Sequence, residues 1–209
     1  FGNGDAGDIT LEAGGKIDTS NGRLESTSMI SNGGDITLEA QGNINTSFLT
    51  STTFGGDEAT KAGDITIIST NGAIDTTTGV ASNGLPADTD ITTPEVATRF
   101  RNFSANLQST SAKGNGGDIT LEARGDITVK DISSYGAQKG GNVNITGMEG
   151  NINTAMMVST TVEGVGGNIN IQTIDNGNLH INHILSFSEK GTGGNINLNS
   201  AGNIEIDRK

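Results

Sequence analysis

The sequence predicts an all-β chain wound as a parallel β-helix, and three observations carry that prediction. The first is repetition. Seven near-copies of the phrase Gly/Ala-Gly-Asp/Asn-Ile-Thr/Asn-Leu/Ile begin at Ala6, Gly33, Ala62, Gly116, Gly140, Gly166 and Gly193. The Asp or Asn after the glycine falls at Asp8, Asp35, Asp64, Asp118, Asn142, Asn168 and Asn195, in steps of 27, 29, 54, 24, 26 and 27. A period of this length marks a solenoid in which each repeat is one coil. The second observation is alternation: in DITLEA, Ile9, Leu11 and Ala13 share one parity while Asp8, Thr10 and Glu12 share the other. Period-2 alternation is the signature of a half-buried strand. The third is punctuation by Gly and Asn between the apolar stretches, residues that tolerate the tight turns between strands.

Each coil reads as three short strands. The first carries two inward columns, Ile9, Ile36, Ile65, Ile119, Val143, Ile169, Ile196 and Leu11, Leu38, Ile67, Leu121, Ile145, Ile171, Leu198. A glycine turn follows at Gly15, Gly42, Gly72, Gly125, Gly150, Gly177 and Gly202. The second strand carries Ile17, Ile44, Ile74, Ile127, Ile152, Leu179 and Ile204, with Thr19 inward and Asp18 outward in the first copy. The third holds Leu24, Ser26, Ser28, then Leu49, Ser51, Thr53, then Leu107, Ser109, Ser111, then Ile132 and Ser134, then Met157, Ser159, Thr161, then Ile184, Ser186, Ser188. Stacked columns of like residues about 4.8 Å apart make a thin aliphatic core, and about seven coils make a rod roughly 34 Å long. Such a core explains how a chain only 32% apolar and 3% aromatic can fold.

The repeats cover residues 1–209 as one domain with one interruption. The step from Asp64 to Asp118 is twice the usual spacing, and an inserted loop over 79–104 in coil three accounts for it. That segment holds both prolines, Pro86 and Pro94. Thr93-Pro94-Glu95 has the order of a helix start, a Thr cap, Pro at the first position and an acid in the first turn, so a short helix is expected there. The segment also gathers Arg99, Phe100, Arg101 and Phe103 in a chain poor in arginine and aromatics. Solenoid insertions commonly carry recognition, so Pro94, Arg99, Phe100, Arg101 and Phe103 are candidate contact residues, beside the simpler reading that the loop covers the side of the rod.

Composition narrows the partners. Asp plus Glu number 24 against 12 Lys plus Arg, for a net charge of −12. That argues against nucleic acid and anionic membrane as partners. No apolar run approaches transmembrane length. With no cysteine, no disulfide framework or thiol chemistry is available.

Chemistry-bearing patterns are sparse. Asp8, Asp35, Asp64 and Asp118 form an outward column of like charge, expected to be broken by the coil-three insertion; Glu12, Glu39 and Glu122 form another. Solvent, hydrogen bonds in the turns or bound Ca²⁺ could relieve the repulsion, which makes Asp8, Asp35 and Asp64 the candidate Ca²⁺ ligands and Ca²⁺ the one candidate cofactor. Likeness to Ca²⁺-binding nonapeptide repeats is superficial, because the period is near 27. In the late coils the columns become Asn142, Asn168, Asn195 and Asn144, Asn170, Asn197, read as stacked amides bonding along the axis. The serine column Ser26, Ser51, Ser109, Ser134, Ser159, Ser186 reads as a small-residue corner bonded to backbone, not as nucleophiles. His180 and His183 lie three apart in a strand, on opposite sides, and do not form a chelating pair. No nucleophile–base–acid set can be assembled, Trp is absent and Tyr135 is alone, so no enzymatic activity is expected. A threonine-based ice-binding face is disfavoured by the irregular third strand.

The phrases GNGGDITLEARGDI, GGDITLEAQGNINTS and GGNINIQT resemble the repeats of filamentous-haemagglutinin-like exoproteins of two-partner secretion, including the large cyanobacterial surface adhesins. The resemblance covers nearly the whole chain outside 79–104. It implies a right-handed parallel β-helix, the hand also favoured by parallel crossovers in general. It further implies a bacterial protein that is secreted, at the cell surface or in the extracellular matrix. The expected function is that of a structural or adhesive segment of a surface fibre, with other copies of itself and cell-surface or matrix polysaccharide as partners. The rival expectations are a polysaccharide-cleaving β-helix enzyme and a Ca²⁺-dependent binding module. Both ends of the sequence fall inside the repeat, which reads as a piece of a longer precursor and as a rod that continues along its axis, within one polypeptide or between copies.

Overall fold

The structure, a computed structural model, describes residues 4–77 and 105–207. Its first strands, β1 (Ile9–Ala13), β3 (Ile36–Ala40), β5 (Ile65–Ser69), β8 (Ile119–Ala123), β10 (Val143–Gly147), β12 (Ile169–Thr173) and β14 (Ile196–Asn199), pair in that order in one seven-stranded sheet. All the pairs are parallel, with Ile9 opposite Ile36, Ile36 opposite Ile65 and Ile65 opposite Ile119. The second sheet stacks β2 (Ile17–Ser28), β4 (Ile44–Thr53), β6 (Ile74–Asp75), β7 (Leu107–Ser111), β9 (Ile127–Gly136), β11 (Ile152–Thr161), β13 (Leu179–Ser188) and β15 (Ile204–Ile206). The chain is a β-solenoid of about six full turns, and β14 and β15 begin a seventh. Parallel pairing between coils requires this winding, since each strand must return to the same side before it meets its neighbour.

Three separate strands per coil were expected; coil three has them, as β5, β6 and β7, whereas the other full coils have two. The second and third run together as one ten-residue strand in β4, β9, β11 and β13. The merged strand still turns a corner. Ile44 and Thr46 are buried on even positions, whereas Leu49, Ser51 and Thr53 are buried on odd ones, so the inward parity switches at Ser47–Phe48. Backbone pairing carries on through that bend, which the periodicity of side chains alone reads as a break. In β2 the corner holds extra residues, and its register against β4 shifts between Thr19 and Arg23. The Ser47 hydroxyl donates to the Gly22 carbonyl there.

The core is the predicted set of columns. Ile36, Ile65, Ile119, Val143 and Ile169 are completely buried, as are Leu38, Ile67, Leu121 and the third-strand column Leu49, Leu107, Ile132 and Met157. Each fully buried branched side chain stabilises the fold by about 1.5–3 kcal/mol, so stability grows coil by coil. At the two outer coils the columns open: Ile9, Leu11 and Leu24 are half-buried, and Ile196, Ile204 and Ile206 are exposed.

Coil three keeps its place despite the doubled spacing. β5 pairs directly with β8, and both β6 and β7 lie between β4 and β9, so the additional residues fall between β6 and β7 within a single coil. Asn106 closes the junction. Its side-chain amide donates to the carbonyls of Thr76 and Ser47, and its own carbonyl accepts the N–H of Leu49. The expected short helix lies outside the described residues. Among the described residues there is no helix, and therefore none long and apolar enough to cross a membrane.

Candidate functional site

The repeat's polar residues form rails that run along the axis. The first rail follows the glycine pair. Asp8 Oδ1 accepts the N–H of Asp35 at 2.8 Å, Asp35 Oδ1 that of Asp64 at 2.7 Å, and Asp64 Oδ1 that of Asp118 at 2.6 Å. Asp118 passes the rail to Asn142, Asn142 to Asn168 and Asn168 to Asn195. The expected break at coil three does not occur, because the insertion falls in the sequence between β6 and β7, and Asp118 stacks straight on Asp64. Charge repulsion along the column is offset by the peptide N–H that every carboxylate accepts, and Lys61 pairs with Asp64 at 2.7 Å. The three Ca²⁺ candidates Asp8, Asp35 and Asp64 thus each hold the next coil through one oxygen, and their ligand atoms are not gathered into a group of three.

A second rail sits at the turn before the merged strand. Asn43 Oδ1 accepts the N–H of Ala73, Asp126 that of Asn151, Asn151 that of Asn178 and Asn178 that of Asn203. The third rail is serine. Ser134 Oγ donates to Gly117 O in its own coil at 2.8 Å and accepts Gly141 N–H of the next at 2.9 Å. Ser26, Ser109, Ser159 and Ser186 repeat the arrangement. These hydroxyls bridge backbone to backbone as expected. The late amides also behave as read: Asn170 donates to Asn144 and Asn197 to Asn170, along the outer face of the first sheet. The glutamate column is interrupted, since Ile68 stands in register between Glu39 and Glu122.

A concave surface also lies at the third corner, after the merged strand. An open groove of about 740 Å³ crosses four coils there, lined by Gly56–Ala59, Ala112, Lys113, Ala137, Gln138, Val162 and Glu163. Its lining includes Ala59, Ala112, Ala137 and Val162, the acids Asp57, Glu58 and Glu163, and one cation, Lys113. Crossing four coils, the groove runs roughly 14 Å parallel to the axis. The turn Phe54-Gly55-Gly56-Asp57 forms one end. Gly56 has φ of 81°, the left-handed region that glycine enters without strain. The Asp57 carboxylate accepts the N–H of Ala59, and its carbonyl accepts the Thr60 hydroxyl. Phe54, 57% exposed, stands beside Met29 and Ile30 on the same corner. Glu163 pairs with Lys190, which raises the lysine pKa through that hydrogen bond. Three acids and a lysine in one groove match the composition of a polysaccharide-cleaving site. Their carboxylates do not converge, however, since no three of them lie within 4.8 Å of one another.

Among the described residues, one group of three potential metal ligands does converge: His180, Glu205 and Asp207, whose ligand atoms all lie within 4.8 Å of one another. Sequence reasoning weighed His180 only against His183, set that pair aside as non-chelating, and missed the partners of His180 one coil away. The signal was present in the register, because Leu179-His180-Ile181 stacks on Ile204-Glu205-Ile206. The candidate contact residues Pro94, Arg99, Phe100, Arg101 and Phe103 lie outside the described residues.

Comparison with protein-family models, with curated proteins and with solved structures finds no match to this chain.

Proposed function

We propose that this chain is an extracellular structural and adhesive β-solenoid, a segment of a bacterial surface fibre or matrix filament of the filamentous-haemagglutinin-like kind, that continues along its axis. The observation that carries the reading is the first rail, unbroken from Asp8 to Asn195. Each coil presents the acceptors and the glycine surface that the next coil needs, so the scaffold extends by adding coils and distributes axial load over many equivalent hydrogen bonds. The outermost described coil keeps this character: Ile204 and Ile206 are 46% and 54% exposed, and β14 and β15 each pair on one side only. The axial groove is the surface offered to an extended polymer, for which matrix or cell-surface polysaccharide is the proposed partner.

Light scattering and sedimentation of the 209-residue chain over a concentration series test the assembly. Mass that rises with concentration supports axial continuation; a monomer at every concentration contradicts it. The groove's acids favour one other reading, cleavage of polysaccharide. Incubation with neutral and acidic polysaccharides followed by viscometry separates the two, because binding leaves viscosity undiminished while cleavage lowers it steadily with time.

A further inference from the structure

We propose that His180, Glu205 and Asp207 form a binding site for a divalent transition-metal ion, with Zn²⁺ as its representative. The three residues sit on adjacent strands of the second sheet. His180 in β13 is directly opposite Glu205 in β15, and Asp207 lies two residues beyond Glu205, on the same side of an extended chain. The backbone holds this spacing: the N–H of Asp207 donates to Ile181 O, so the strand pairing continues past β15 as far as the third ligand.

The distances suit an ion of this size. His180 Nδ1 and Glu205 Oε2 are 3.2 Å apart. With metal–ligand bonds of 2.0–2.1 Å, the edge of a tetrahedral site is about 3.3–3.4 Å, so these two atoms already span one edge. A carboxylate oxygen of Asp207 lies within 4.8 Å of both other ligand atoms. The donor set selects the metal class. One imidazole with two carboxylates suits Zn²⁺, Co²⁺ or Ni²⁺, whereas Ca²⁺ and Mg²⁺ favour oxygen-only sites. Access is open, as the side chains of His180 and Glu205 are 40% and 63% exposed. Across from Asp207, one register step beyond the Ile181–Ile206 pair, Asn182 carries a buried side-chain oxygen with no hydrogen-bond partner. An unpaired buried acceptor is a natural companion for a cation. Three protein ligands leave one tetrahedral position for water or for a group from a neighbouring molecule. Bound in this way, the ion ties β15 to β13 and fixes the outermost described coil. The inference stands independently of the adhesive reading.

The test is calorimetric titration of the metal-stripped 209-residue chain with Zn²⁺. One saturable site per chain is expected, weakened at least tenfold in His180→Ala and in Asp207→Asn and unchanged in His183→Ala. Substituting Co²⁺ gives a second readout that needs no variant: visible absorption of the intensity typical of tetrahedral cobalt. The absence of saturable Zn²⁺ binding by the parent chain overturns the proposal. So does equal affinity in His180→Ala when its far-UV circular dichroism matches the parent, or a loss in His183→Ala as large as that in His180→Ala.

Discussion

Replacing Gly141 with alanine tests how tightly the coils are stacked. A Cβ on Gly141 would lie 2.1 Å from Gly117 O, 2.4 Å from Gly117 C and 2.7 Å from Ser134 Oγ. Ordinary contact begins at 3.4 Å, so coils four and five must part by 3.4 minus 2.1, about 1.3 Å, at that corner. Three hydrogen bonds cross it: Gly141 N–H to Ser134 Oγ, Asn142 N–H to Asp118 Oδ1, and Ile119 N–H to Asn142 O. Losing them costs about 0.5–1.5 kcal/mol each, and overpacking adds about 1–3 kcal/mol. The lower chain entropy of alanine in the unfolded state returns about 0.4–1 kcal/mol. The net destabilisation is about 4 kcal/mol, with about 1.5 kcal/mol as the lower bound. Gly7 occupies the same place in the repeat, yet a Cβ there meets nothing within 4 Å. Gly7→Ala is therefore expected to change stability by less than about 1 kcal/mol. Urea unfolding followed by far-UV circular dichroism measures both variants against the parent. Equal effects from the two substitutions, or a Gly141→Ala cost under about 1 kcal/mol, would refute the stacking argument.

Four further outcomes are expected. Ser134→Ala strips a hydroxyl that serves two buried backbone groups and should cost about 2–4 kcal/mol in the same urea assay. Asp118→Ala frees the N–H of Asn142 and should cost about 1–2 kcal/mol, whereas Asp118→Asn keeps an acceptor in place and should be nearly neutral, a contrast that a charge-only role would not produce. In acid, Asp5 and Asp18 hold pKa values below the ordinary range, chiefly through the hydroxyls of Ser31 and Ser20, and Glu149 does so through its hydrogen bond from Arg124. Carboxylates with depressed folded values contribute stability above their unfolded pKa and lose it as pH falls through the folded one, so unfolding midpoints measured against pH should decline below about pH 4. Finally, adding Ca²⁺ to chelator-treated protein should leave the melting temperature unchanged, because the oxygens of Asp8, Asp35 and Asp64 that face the next coil are already taken by peptide N–H groups; a Ca²⁺-dependent rise would restore these residues as ligands.

The columns were legible because a solenoid writes its packing directly into the period: Ile36 and Ile65 stack because they hold the same place in successive repeats. The serine rail was legible for the same reason. The merging of the second and third strands was not. At Ser47–Phe48 the side chains change parity while the backbone keeps pairing, and only side chains show in a hydrophobic pattern. The role of the Asp column was open in the sequence, since its acceptors point at backbone N–H groups of the next coil and backbone carries no sequence signal. The glutamate column does not run continuously, because coil three places Ile68 in register between Glu39 and Glu122. The triad of His180, Glu205 and Asp207 was missed because its partners are 25 and 27 residues apart, close only once the register is fixed. The axial groove depends on the shapes of four turns of different length, which repetition does not specify.

Electron microscopy of the concentrated chain tests the central claim most directly. If the coils stack along a common axis and continue between copies, the chain forms filaments whose strands are spaced about 4.8 Å along the filament axis, with a unit repeat of roughly 29–34 Å for six to seven coils. Separate particles at every concentration, or filaments whose strands run along the axis instead of across it, would contradict the account.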